Sequence, residues 1–260
     1  MKIRQGRRPR PRTGLVARGG NAVRHHVPPG SGGVCVDFRL VNDTMLRTTP
    51  FAKHSHSGPM EDLRLRIATN LAGFQRVAID ADGRRQAAVA IVLSPTDLGP
   101  SFLLTRRALH LRGGAGNYAL PGGHLDPGED AVDAARRETW EELGVTIGRE
   151  TALGALDDFV TLRGQVVTPV VFWTSERLAL TPNPDEVHDA WFVQLSDLDH
   201  PRAPRRVRHP DGGPSVLRMF ARGSWINPPT AAWLYQFREV CLRGRQVRTD
   251  AIGQPNWTAR

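Results

Sequence analysis

The chain has 260 residues, a formal charge of +9 and a hydrophobic fraction of 40%, enough apolar material to build a core. Two cysteines, Cys35 and Cys241, cannot form a disulfide framework and lie in no zinc-type cluster, so a reducing, cytoplasmic setting is expected. No apolar stretch approaches the roughly 20 residues that cross a bilayer, and no membrane partner is expected.

Residues 1–57 hold nine arginines, Lys2 and Lys53 against Asp37 and Asp43, which is the whole charge excess; residues 58–260 keep 24 side chains of each sign. Arg, Gly and Pro dominate this segment, and it reads as a disordered basic arm. It has no apolar stretch of the secretory kind. Pro9, Pro11, Gly19, Gly20 and Pro28 oppose the amphipathic helix of an organellar leader. Met45 and Met60 leave open that translation starts later. The arm's charge suits an anionic polymer, but no recognition helix, zinc finger or aromatic RNA-binding signature accompanies it, so no specific nucleic-acid partner is expected.

From Met60 the pattern changes. Leu63, Ile67, Leu71 and Phe74 recur at helical spacing. Ala87 to Leu93 suits a buried strand, Ser94 to Pro100 is dense in turn formers, and Phe102 to Thr105 reads as the return strand. Tyr118 to Leu120 is a brief strand that Pro121-Gly122-Gly123 should stop. A helix is expected from Asp130 to Leu143, ended by Gly144. Strands follow at about 152–161, 165–173 and 187–194, and a last helix from about Pro229 to Leu242 precedes a polar tail over 243–260. One domain over 58–242 is expected. Strands and helices interleave without a regular βαβ repeat, which points to an α/β fold of the α+β type, a mixed sheet covered by helices.

The chemistry gathers in one segment: Gly123, then Glu129, then Arg137-Glu138-Thr139-Trp140-Glu141-Glu142-Leu143-Gly144. At ~100° per residue, Glu138, Glu141 and Glu142 fall within about one third of the helix circumference. Three convergent carboxylates repel unless a positive charge lies among them, and hard oxygen donors suit Mg²⁺ or Mn²⁺. Arg137 stands one turn before Glu141 and could pair with Glu129. Gly122 and Gly123 would let backbone approach a diphosphate closely. An acidic cluster alone reads first as a solvated helix face; the added Gly, Glu, Arg and Gly spacing reverses that reading.

That spacing is the Nudix box, and the chain resembles the Nudix hydrolase superfamily at every defining position except Thr139, where an aliphatic residue is usual. The resemblance implies an α/β/α sandwich and Mg²⁺- or Mn²⁺-dependent hydrolysis of a diphosphate linkage in a small-molecule nucleotide. Glu138, Glu141 and Glu142 would be metal ligands, with Glu129 near the metal and Arg137 supporting the loop and helix. Metal ions would neutralise the diphosphate oxygens and activate a water for in-line attack. The base would be a box glutamate or an acid from a later loop. Glu186 is the candidate there, with an ordinary loop acid as the alternative. A homodimer would be compatible with such a fold.

Upstream, Leu103-Leu104-Thr105-Arg106-Arg107-Ala108, Arg112, Gly116 and Leu120-Pro121-Gly122-Gly123 resemble the extra signature of the coenzyme A pyrophosphatase branch, and the likeness continues through Trp225-Ile226 and Thr230-Ala231. It implies coenzyme A or its acyl esters as substrate, with Arg107, Arg112, Gly122 and Gly123 facing its phosphates; ordinary surface arginine is the alternative for the first two. The branch usually carries histidine where Gly114 stands and phenylalanine where Leu120 stands. Nucleotide sugars, dinucleotides and oxidised nucleoside triphosphates therefore remain open, as does a non-catalytic nucleotide sensor, against which four retained box glutamates argue. A second basic cluster, Arg202, Arg205, Arg206 and Arg208 with His200 and His209, reads either as a solvated loop or as a holder of a further substrate phosphate.

Overall fold

A computed structural model describes residues 58–209 and 212–256; the basic arm over 1–57 lies outside the described residues. Helix α1 spans Pro59–Ala72, with Pro59 in its first turn beside Glu61 and Asp62, residues suited to a helix start. Ile67 and Leu71 are its buried face. Strand β1, Gln86–Thr96, and strand β2, Gly99–Arg107, form a hairpin that turns at Asp97 and Leu98. The strands run further into the turn-rich segment than the composition suggests. Pro95 and Pro100 face each other at the hairpin's end, where strands tolerate a residue that cannot donate.

Strand β3 is Tyr118–Ala119 and strand β4 is Gly122–His124. Pro121-Gly122-Gly123 therefore ends one strand and opens another. β3 pairs with β2, while β4 pairs with β1 through Gly122↔Val89 and Gly123↔Ala88, and the Pro121 carbonyl between them accepts from the Ala90 amide at 2.8 Å. Helix α2 is Ala131–Leu143. Strands β5, Ala152–Ala155, and β6, Phe159–Val160, replace the single strand expected there. The break falls at Asp157 and Asp158, whose carboxylates accept from the amides of Val77 at 2.7 Å and Ile79 at 2.8 Å instead of continuing the ladder. Strands β7, Val166–Trp173, and β8, Val187–Gln194, complete an eight-stranded mixed sheet in which β1 runs parallel to β7 and antiparallel to β2.

β1 is buried through Ala87 to Ser94 because both of its faces are covered. Its alternation sorts the core: Ala87, Val89, Ile91 and Leu93 face one apolar cluster, Ala88, Ala90 and Val92 the other. The first also takes Ile67 and Leu71 of α1, and the second takes Ala134, Ala135 and Leu143 of α2. The described residues thus form an α/β/α sandwich, as expected.

A second, three-stranded sheet was not legible in the sequence. It comprises β9, Arg205–Val207, β10, Val216–Ala221, and β11, Ser224–Ile226. Leu217, Met219, Ala221 and Ile226 join the core beside helix α3, Thr230–Phe237, which widens into a π-type turn over Arg238–Leu242. The polar segment after it lies along the fold. Arg248 pairs with Asp157 at 2.8 Å, Gly253 bridges to Val216, and the Gln254 side chain donates to the Val160 carbonyl at 2.9 Å. No helix among the described residues is long and apolar enough to cross a membrane.

Candidate active site

Helix α2 begins where the Asp130 side chain accepts from the amides of Val132 and Asp133, and ends where Gly144 takes the left-handed conformation, φ 67°, its amide bonded to the Trp140 carbonyl. Ala134 and Ala135 are fully buried, so the helix sits close to the sheet and carries the glutamates to the place where β4 pairs with β1. Thr139 is buried as well. Its hydroxyl donates to the Ala135 carbonyl at 2.6 Å, so the one departure from the box leaves no polar group unpaired.

The Arg137 guanidinium is the organising cation. It donates to both Glu129 carboxylate oxygens at 2.9 and 3.0 Å, to Glu138 at 2.9 Å, to Glu141 at 3.0 Å and to the His124 carbonyl at 2.8 Å. A planar fork reaches several acceptors at once, and it fixes the loop after β4 to the helix. The bonds from Arg137 hold the Glu129 carboxyl below its ordinary range and raise the guanidinium's own pKa.

Glu138, Glu142 and Glu186 each bring a carboxylate oxygen within 4.8 Å of the other two. Glu142 is only 4% exposed. Burial, joined by the charges of Glu138 and Glu186, pushes its pKa up to about 8, opposed by Arg107 and by a bond from the Gly122 amide. Burial also raises Glu138. Glu186 arrives from a loop tied to the end of α2: the Thr181 and Asn183 amides donate to the Leu143 and Glu142 carbonyls at 2.8 Å each, and the Glu186 carbonyl accepts from Ala108. An all-oxygen set with a carboxyl forced towards neutrality fits a hard divalent cation.

The glycines are dictated by closeness. A Cβ on Gly122 would lie 2.3 Å from the Ala88 carbonyl oxygen, and one on Gly123 would lie 2.2 Å from a Glu138 oxygen. Beside the carboxylates opens a cavity of about 960 Å³ lined by Arg106, Arg107 and Arg163 on one part and Trp225, Asn227 and Thr230 on another. Of the site residues expected from sequence, Arg107, Gly122, Gly123, Arg137, Glu138, Glu142 and Glu186 line this cavity. Glu129 and Glu141 are gathered by Arg137 at its side, and Arg112 is exposed and outside the lining. Arg163, in the β6–β7 turn, carried no signal in the sequence, because only strand pairing brings it to Gly113, where a Cβ would meet its Nη2 at 2.6 Å.

A family model for the NUDIX domain matches residues 84–211. "Nudix hydrolase 3" of Caenorhabditis elegans is 35% identical over 127 residues, covering 47% of this chain and 53% of that protein. "Uncharacterized Nudix hydrolase NudL" of Salmonella heidelberg (strain SL476) is 36% identical over 144 residues, covering 53% of this chain and 73% of that protein. Among solved structures, a MutT protein from Methanosarcina mazei Go1 is 27% identical with a TM-score of 0.36, covering 48% of this chain and 83% of that one. The chain spans about half the length of the worm relative and between 59% and 73% of the NudL proteins it matches.

Proposed function

The chain belongs to the Nudix family, and from that premise we propose that it hydrolyses the diphosphate linkage of a nucleoside diphosphate derivative, with coenzyme A or an acyl-coenzyme A as substrate and 3′,5′-ADP and a 4′-phosphopantetheine as products. The observation that carries the reading is the convergence of Glu138, Glu142 and Glu186 within 4.8 Å at the edge of a cavity that Arg106 and Arg107 also line. Glu138, Glu142 and Glu186 would hold Mg²⁺ or Mn²⁺, and Glu141 lies one turn from Glu138 for a further ion. When bound, the cation supplies positive charge to the diphosphate oxygens and to the attacking water.

The chain's own residues orient the rest. Arg107, close enough to Glu142 to lower its proton affinity, faces the same space and would bind the phosphate oxygens as a planar fork. Gly122 and Gly123, both on the cavity lining, let β4 approach Ala88 and the Glu138 carboxylate closely. Glu186, supplied by a loop rather than by α2, would hold the cation through one carboxylate oxygen and take the proton on the other as a water oxygen bonds to phosphorus and the bridging P–O bond breaks with its electron pair on the departing oxygen. The choice of coenzyme A rests on the resemblance of the β2–β4 segment to that branch, with Arg107 and not Arg112 at the cavity. A reducing compartment, the cytoplasm, suits Cys241, a buried free thiol.

A panel of coenzyme A, ADP-ribose, NADH and a diadenosine polyphosphate at fixed Mg²⁺, with product masses read out, tests the proposal. Mg²⁺-dependent release of 3′,5′-ADP from coenzyme A is the expected result. Full turnover in EDTA overturns the metal mechanism, and turnover of another member with coenzyme A left intact overturns the substrate.

A further inference from the structure

The second sheet turns one face to the core and the other outward, and the outward face is basic. Leu217, Met219 and Ala221 of β10 enter the core, so Arg218 and Phe220 alternate to the opposite side. The register then sets Arg205 opposite Arg218 and Trp225 opposite Phe220. Arg202 covers both rings, at 4.3 Å from the Phe220 centroid and 5.4 Å from that of Trp225, while Arg205 and Arg218 stand 5.7 and 6.0 Å from Trp225. Trp225 and Asn227 are also cavity lining, and Asn227 accepts from Arg218 Nε at 2.7 Å. The basic face therefore meets the mouth of the cavity through these two residues.

These cations are held differently from the ion-paired arginines of the fold. Arg137, Arg149, Arg238, Arg243, Arg245 and Arg248 are all bonded to carboxylates. Arg202, Arg205 and Arg218 have no carboxylate partner among the described residues, only rings and an amide oxygen. Rings fix the direction of a guanidinium without neutralising it, so several converging charges are left for an anion. We propose that Arg205 and Arg218, with Arg202, form a second anion subsite at the cavity mouth, which takes a phosphomonoester carried by the substrate away from its scissile diphosphate. The proposal rests on the reading that the substrate is a nucleoside diphosphate derivative. It adds which side chains hold the phosphate that lies outside the scissile linkage, and that the substrate is selected by it.

Calorimetric titration of the full chain in EDTA with 3′,5′-ADP and with 5′-AMP tests the subsite without turnover, so its failure is distinct from failure of the proposed reaction. Charge-assisted bonds to one phosphate predict 3′,5′-ADP binding about 10-fold or more tightly than 5′-AMP, with the ratio shrinking as salt is raised. Arg205→Gln combined with Arg218→Gln should bring the ratio near one, and Arg205→Gln alone, at an exposed position, should lower it in part. Taking the ratio separates a loss common to both nucleotides from the effect of the extra phosphate. A wild-type ratio near one, or an unchanged ratio in the double variant, overturns the subsite. Tighter binding of a single-stranded DNA oligomer than of 3′,5′-ADP at ~150 mM salt overturns the small-molecule assignment in favour of a nucleic acid.

Discussion

The two ends of the cavity handle charge in opposite ways. At the α2 end acids outnumber cations: Arg137 alone bonds to Glu129, Glu138 and Glu141, and Glu142 is buried beside Glu138 and Glu186. At the β9–β11 end arginines are held by Phe220 and Trp225 with no carboxylate beside them among the described residues. One end is short of positive charge and the other of negative charge. A ligand that satisfies both is an anionic molecule accompanied by a divalent cation, and neither end alone implies it.

The contrast between the two ends depends most on Glu142. Glu142→Gln removes the most buried carboxylate of the cluster and should lower metal-dependent turnover by about 10³-fold or more while circular dichroism shows a retained fold, since glutamine fills the same space. The same residue sets a pH dependence. Its pKa is raised from 4.5 to about 8 in the folded protein, chiefly by burial, so between those values the folded state keeps a proton that the unfolded chain releases. Stability of the metal-free protein should then fall as pH rises through this window. Thermal melts at pH 5 and pH 8 check it: Mg²⁺ should restore part of the loss at pH 8, and Glu142→Gln should flatten the profile. A flat wild-type profile would show that its buried place at the acid end does not hold Glu142 protonated.

Gly122→Ala attacks the closeness on which the acid end depends. The added Cβ meets the Ala88 carbonyl oxygen at 2.3 Å in the middle of the sheet, and backbone cannot yield cheaply, so a loss of about 3 kcal/mol in denaturant unfolding is expected. Gly123→Ala meets the Glu138 carboxylate instead, the mobile end of a side chain. It should spare stability and weaken Mn²⁺ binding, measured by calorimetry.

How far sequence reached differs between the two ends for the same physical reason. The acid end is local: the cap at Asp130, the buried alanines, the glutamate spacing and Gly144 all lie within fifteen consecutive residues, where helical periodicity suffices. Glu186 was identifiable only as a candidate, because its place depends on a loop tied to α2. The basic end is assembled from distant strands. Arg- and Pro-rich segments such as 200–213 read as loops, and nothing local announces that β9 pairs with β10 or that Gln254 returns to β6. Arg112 shows the converse: its residue type matched the signature, but the structure leaves it exposed.

Arg137→Lys keeps the charge at the acid end and removes the fork. A lysine ammonium can reach one or two of the five acceptors now bonded to the guanidinium, so Glu138 and Glu129 lose their common anchor. Mn²⁺ affinity should fall about 10- to 100-fold, the usual consequence of losing a group that orients metal ligands, with stability less affected. Full retention of affinity would mean that charge alone, without orientation, organises this end.

Asp130→Ala probes whether that organisation is as local as it looks. The Asp130 carboxylate accepts from the amides of Val132 and Asp133 at 2.9 and 3.0 Å, and Arg149 pairs with it, holding its pKa down at about 2. Asp130 and Arg149 are about half exposed, so the ion pair itself contributes little, and loss of the cap should cost about 1 kcal/mol in urea unfolding. A carboxyl held low stabilises the fold above its unfolded pKa of 3.8 and loses that contribution as pH falls towards 2. The variant should therefore lose less stability than wild type between pH 4 and pH 2. Asp130→Asn keeps an acceptor for the helix amides and should recover most of the loss at neutral pH. Glu138 lies two turns further along α2 and is held by Arg137 rather than by the cap, so Mn²⁺ affinity should be unchanged in both variants. A fall in affinity matching that of Arg137→Lys would show that the acid end is set by the helix as a whole, and would remove the contrast with an opposite end that only long-range strand pairing assembles.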